Sequence, residues 1–258
     1  MSSPAASDPQ RGPPFESARG ILRKRKEASP IATGSPELDR LTGRLVPGLF
    51  YLLYGDDDTR VPDLMLHRLL VEAVAQGGRA VYVVCGNYRR SRTVMDSEFL
   101  LALMDEAGLD LDYALDRVHL VFAFSERHLM RAPSLVKGLL EENSGVTLVV
   151  VQQLPKLFCG EDALRFENPA EFTGIVSRLK AACSERQIAL VATCRQTSRG
   201  RPIPLPEGGA FLRHAANAIL YFRESGGGPV SAYIVKHPDR ARMGNVVHFG
   251  GGGTLWDG

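Results

Sequence analysis

Eight short apolar segments organise this chain, at residues 49–54, 80–85, 118–123, 148–152, 188–194, 218–223, 231–236 and 246–249. Each is of strand length and rich in Val, Ile, Leu or aromatic residues. Between the earlier ones, apolar residues recur at helical spacing over 63–76, 97–107, 132–142 and 169–185. Strands alternating with helices predict parallel βαβ units. The last strands, with no helical pattern between them, predict an antiparallel extension of the same sheet. The expected fold class is α/β, a mostly parallel twisted sheet flanked by helices with antiparallel C-terminal strands. Residues 197–209 form a Gly/Pro-rich connection without helical pattern, and loops of that length tend to be functional or disordered.

Composition narrows the class without naming a chemistry. At 258 residues, 44% hydrophobic and 23% charged, the chain is long enough for one substantial core. Residues 1–14, rich in Pro, Ser, Ala and Gly, are expected to be a disordered tail. No apolar run approaches the ~20 residues of a membrane span, and no secretory core opens the sequence. A cytoplasmic protein without a membrane partner is expected. Cys85, Cys159, Cys183 and Cys194 are too widely spaced for a zinc knuckle or a redox pair, so no metal is assigned. The net charge of +2 is small but uneven, with Arg19, Arg23, Lys24, Arg25 and Lys26 in one block.

The candidate chemistry sits in the loop Gly55-Asp56-Asp57-Asp58-Thr59-Arg60-Val61-Pro62, between an apolar strand and a helical pattern. A phosphate loop of the form G-x-x-x-x-G-K-[ST] needs a permissive second glycine, a lysine for the phosphates and a hydroxyl for magnesium. Those three positions here read Arg60, Val61 and Pro62. Asp56, Asp57 and Asp58 put carboxylates where a polyanion would dock at a helix N-terminus, so a triphosphate is repelled. Taken alone, the stretch reads rather as an acidic turn whose carboxylates cap the next helix.

Several segments together resemble the strand-exchange recombinase family of the RecA/RadA type. The stretch Ile31-Ala32-Thr33-Gly34-Ser35-Pro36-Glu37-Leu38-Asp39-Arg40-Leu41 looks like that family's STGS-x-x-LD-x-L lead-in. Gly208-Gly209, His214-Ala215 and residues 218–223 resemble its GG…HA…R-x-Y-x-R segment, and Lys236-His237-Pro238 its K-S-P. The resemblance runs from about Phe15 to Gly258 and implies a RecA-like core over residues 31–258, preceded by a linker arm over 15–30. It also implies a core-only paralogue, without the small N-terminal DNA-binding domain.

Under this resemblance the positions that handle ATP have changed. The strand that should end in a magnesium-holding aspartate ends in Gln152 and Gln153, and the strand that should precede a catalytic glutamate is followed by Cys85, Gly86 and Asn87. A neutral amide supplies neither the charge nor the titratable group these roles need. The expectation is a pseudo-ATPase with degenerate Walker motifs, no catalytic residue and no cofactor. Phe15-Glu16-Ser17-Ala18 matches the F-x-x-A segment by which the family polymerises, so Phe15 and Ala18 are expected to dock on a neighbouring RadA-type recombinase, in a homo- or hetero-oligomer. The family's two DNA loops correspond to 156–168 and 197–209. Lys156, Arg165, Phe166, Arg199 and Arg201 are the candidates there for holding single-stranded or double-stranded DNA. Two rivals remain: a divergent nucleotide-binding ATPase rebuilt around Arg60, and a RecA-fold scaffold or regulator with no DNA role.

Overall fold

The computed structural model describes residues 29–56, 59–86, 95–159, 169–197, 202–224 and 228–250. Among these, eight strands form one sheet: β1 (Phe50–Gly55), β2 (Arg79–Cys85), β3 (Val118–Ala123), β4 (Val146–Gln152), β5 (Ala189–Arg195), β6 (Ala218–Glu224), β7 (Val230–Lys236) and β8 (Val246–Phe249). Their order is β3-β2-β4-β5-β1-β6-β7-β8. The first six run parallel to one another, β7 pairs antiparallel with β6, and β8 antiparallel with β7. The α/β class expected from the apolar pattern is the fold observed.

Parallel strands covered on both faces read as unbroken apolar runs, and β1, β2 and β4 do so because helices cover both sides. On one face lie α1 (Pro36–Thr42), α2 (Val61–Ala75), α3 (Ser97–Glu106) and α4 (Leu111–Leu115). The other carries α5 (Glu126–Glu142), α6 (Pro169–Glu185) and α7 (Gly209–Ala215). Alternate residues of a strand serve the two faces, so Tyr51 and Leu53 of β1 enter the first core and Phe50, Leu52 and Tyr54 the second.

The pattern of residues 31–41 is a helix cap. The Ser35 hydroxyl accepts from the Leu38 N–H at 3.4 Å, and Asp39 Oδ1 accepts from the Thr33 N–H at 2.8 Å. Gly34 has φ +81°, and a Cβ there would meet the Arg68 Nε at 2.4 Å, so glycine is required twice over. Three helices escape the hydrophobic periodicity, α1, α4 and α7, because five to seven residues are too few to show a period. The helix expected at 132–142 begins two turns earlier, at Glu126, where the Ser125 hydroxyl accepts from the His128 N–H.

Candidate functional site: a cleft at the C-terminal edge of the sheet

Strand β1 ends at Gly55, and the chain re-enters the described structure at Thr59, just before α2. Thr59 closes the turn on itself. Its Oγ1 accepts from the Val61 N–H at 3.2 Å and donates to Glu224 Oε2 at 3.1 Å. Its methyl lies over Gly55, where a Cβ would come within 2.4 Å of Thr59 Cγ2 and 2.9 Å of the Phe222 carbonyl. Pro62 in the first turn has no N–H to offer. Asp56 turns away from the helix, accepting the Tyr221 hydroxyl, with Arg223 Nε 3.9 Å from its other oxygen. Burial and the neighbouring Asp56 push the Tyr221 phenol up to about 12. Arg60 reaches across to Asp96 Oδ2 at 2.7 Å, and that bond, with the Phe99 N–H, holds the Asp96 carboxyl below its ordinary range.

Asp63, in the first turn of α2, ties the cleft floor together. It accepts from Thr193 Oγ1 of β5 at 2.6 Å and from Gln153 Nε2 at 3.1 and 3.0 Å. The Gln153 N–H in turn donates to Thr193 Oγ1 at 2.8 Å. Gln153 holds φ +51°, a left-handed backbone uncommon outside glycine and maintained here by these bonds. The neighbouring Gln152 is buried, its Oε1 accepting from the Tyr82 hydroxyl at 2.8 Å. At the end of β4 the Gln152 carbonyl oxygen and the Gln153 amide nitrogen are thus committed to protein partners.

Two loop bases meet the same cleft. Glu207, fully buried, accepts from Arg195 at 3.1 Å, and its N–H donates to the Arg195 carbonyl at 2.7 Å. With Thr197 N–H to Leu205 carbonyl at 2.8 Å and the Gln196–Pro206 bridge, this makes the foot of the 197–209 connection a short antiparallel clasp. The Cys159 thiol stands beside Glu207; burial first, and that carboxylate second, raise its pKa. Lys156 is half-buried against the cleft, its pKa lowered by burial and then by Arg195, with Asp63 and Glu207 opposing. Phe158 is buried against Phe172, ring centroids 5.6 Å apart, anchoring the turn that carries Lys156.

Gly55, Asp56, Thr59, Arg60, Pro62, Gln152, Gln153 and Lys156, named from sequence, therefore line one cleft of ≈ 540 Å³ together with Asp63, His67, Asp96 and Arg195. Val61, also named, is buried in the adjoining core. Asp57, Asp58, Arg165, Phe166, Arg199, Arg201, Phe15 and Ala18 lie outside the described residues. So do Asn87, Arg89, Arg90, Arg92 and the block from Arg19 to Lys26. Asp63, Tyr82, Thr193, Arg195, Glu207 and Tyr221 were not legible as site residues. The available signal was a polar group inside an otherwise apolar strand, as with Tyr82 and Thr193. Among the described residues no three His, Cys, Asp or Glu side chains gather as a metal site, and no helix is long and apolar enough to cross a membrane.

No protein-family model matches the chain. Among curated proteins it is similar to the DNA repair and recombination protein RadA of Methanoculleus marisnigri, 28% identical over 244 residues covering 87% of this chain and 74% of that protein. It is also similar to the meiotic recombination protein DMC1/LIM15 homolog of Homo sapiens, 26% identical over 248 residues, 88% of this chain and 70% of that one. The Mus musculus protein of the same name is 25% identical over the same lengths.

Proposed function

We propose, for a chain that belongs to the RecA/RadA recombinase family, a role in DNA recombination and repair exercised without ATP turnover. The observation that carries this reading is the floor of the cleft. Where an ATPase needs groups free to meet a phosphate and its magnesium, Asp63 is spent on Thr193 and Gln153, and Gln152 on Tyr82. The first turn of α2 offers Val61 and Pro62 rather than a lysine and a hydroxyl, and the carboxylates of Asp56, Asp63 and Asp96 surround it. A triphosphate there meets repulsion and a turn already closed by Thr59.

Without hydrolysis the action is stoichiometric. The Phe15/Ala18 arm docks on a RadA-type recombinase, and Lys156, Arg165, Phe166, Arg199 and Arg201 bind DNA phosphates and bases. The clasp from Arg195 to Glu207 supports this by fixing the foot of one DNA loop through hydrogen bonds within the protein. The test is DNA affinity of the pure protein across a salt series, with and without Mg-ATP, alongside ATP turnover. The expected result is binding that weakens with salt and is indifferent to ATP, with no phosphate released. ATP hydrolysis, or DNA binding that appears only with Mg-ATP, would overturn the reading.

A further inference from the structure

The segment Pro202-Ile203-Pro204-Leu205-Pro206, on the return side of the 197–209 connection, has proline at every second position and so offers few N–H groups to a partner. It is held through its carbonyls instead. Arg223 Nη2 of β6 donates to the Pro202 carbonyl, and the buried Tyr54 hydroxyl of β1 donates to the Pro204 carbonyl at 2.8 Å. The Thr197 N–H and Oγ1 donate to the Leu205 carbonyl at 2.8 and 3.1 Å. Each proline fixes its own φ, so the run is stiff and these three grips set its course.

The grip of Arg223 is organised by Asp56, at the end of β1. Arg223 Nε stands 3.9 Å from Asp56 Oδ2, and its Nη2 donates to the Tyr221 hydroxyl oxygen at 3.4 Å, while that hydroxyl donates to Asp56 Oδ1. A hydroxyl gives one proton and accepts on its lone pairs, so Tyr221 serves both neighbours at once. The guanidinium also packs near the Tyr221 and Tyr233 rings, 5.4 and 5.7 Å from their centroids. Asp56 is itself fixed by its N–H, which donates to the Phe222 carbonyl at 3.3 Å. We propose that Asp56 is a positioning residue for the 197–209 connection: by ordering Arg223, directly and through Tyr221, it fixes the proline segment and so sets the DNA affinity of that loop without touching DNA. The inference rests on the DNA-binding reading of the loop, and gives the acid after β1 a task besides repelling phosphate. Without Asp56 the Tyr221 hydroxyl loses its acceptor, and the Arg223 side chain, 39% exposed, exchanges the Pro202 carbonyl for water. Charge alone predicts the opposite sign. Removing a carboxylate beside a DNA loop tightens binding if only its charge matters, whereas removing the anchor of that loop weakens it.

The experiment measures hydrogen–deuterium exchange of the full chain, and its affinity for a fluorescent single-stranded oligonucleotide at fixed salt, in the wild-type protein, Asp56→Ala and Arg223→Lys. The lysine keeps the positive charge and loses the planar fork that spans Pro202, Tyr221 and Asp56. Faster exchange at the Ile203, Leu205 and Glu207 amides is expected in both variants, with exchange in β1, β4 and β5 unchanged. DNA binding is expected to weaken by about three- to tenfold in each, the range for a residue that acts through a packed network. Should Asp56→Ala not fold, Arg223→Lys carries both readouts. Tighter DNA binding in Asp56→Ala, or exchange over 203–207 that does not change in the folded variants, overturns the inference and leaves the DNA-binding reading standing. A wild-type protein that binds no DNA overturns that reading and the inference with it.

Discussion

At Asp63 one carboxylate accepts from two donors distant in sequence, the Thr193 hydroxyl and the Gln153 amide nitrogen, which is shared between its two oxygens. Removing it strands the buried Thr193 hydroxyl and releases Gln153 from its left-handed pose. Asp63→Ala is therefore expected to lower unfolding free energy by about 1–3 kcal/mol, read as a fall in the urea midpoint. Asp63→Asn, which keeps one acceptor, is expected to lose less. His67 gives a pH signature. Burial depresses its pKa below the ordinary 6.5, against the carbonyl and carboxylate of Asp63. Well above pH 6.5 the ring is neutral both folded and unfolded. As pH falls below that value the unfolded chain takes up a proton that the folded chain refuses, and stability declines until the folded pKa is passed. Between pH ~7.5 and ~5.5 the wild-type protein is expected to lose more stability than His67→Phe, measured as the difference in urea midpoints. An equal loss in both would remove His67 from the pH response.

Helix α5 shows an element overruling its own sequence. Pro133 stands at the end of its second turn, where it cannot donate to the Leu129 carbonyl. The helical pattern expected from the sequence begins at residue 132, just before this proline. The helix nevertheless begins after Ser125, because Leu129, Ala132, Val136 and Leu140 are all buried in the core shared with α6 and β3. A proline in a helix interior costs about 3 kcal/mol relative to alanine, and losing the buried ring carbons costs about 1–2 kcal/mol. Pro133→Ala is expected to raise stability by about 1–2 kcal/mol, visible as a higher melting temperature. A lower one would mean that ring packing, not helix continuity, dominates there.

For the whole molecule, the sheet order leaves β3 and β8 at the edges of the described sheet. Strand β3 exposes Leu120 and Phe122, with Phe124 just beyond it stacked on Phe122 at 5.6 Å. An exposed apolar edge is a template for pairing with another chain. Phe122→Lys is expected to suppress light scattering on heating while leaving the melting temperature unchanged, since the side chain is 48% exposed. The sequence by itself determined the α/β class, the eight strand positions and the parallel-then-antiparallel order, because burial on one or two faces imposes a short-range apolar period. It also fixed which residue types stand at the end of β1 and of β4. Only the tertiary structure decided what those residues do. Asp63, Gln153 and Thr193 are up to 130 positions apart in pairing, Glu207 finds Arg195 across a loop, and His67 looks like any core residue of a helix until its neighbours show one nitrogen bonded and the other bare. Hydrogen-bond partners of this kind are set by the packing of elements distant in sequence, and local patterning carries no record of them.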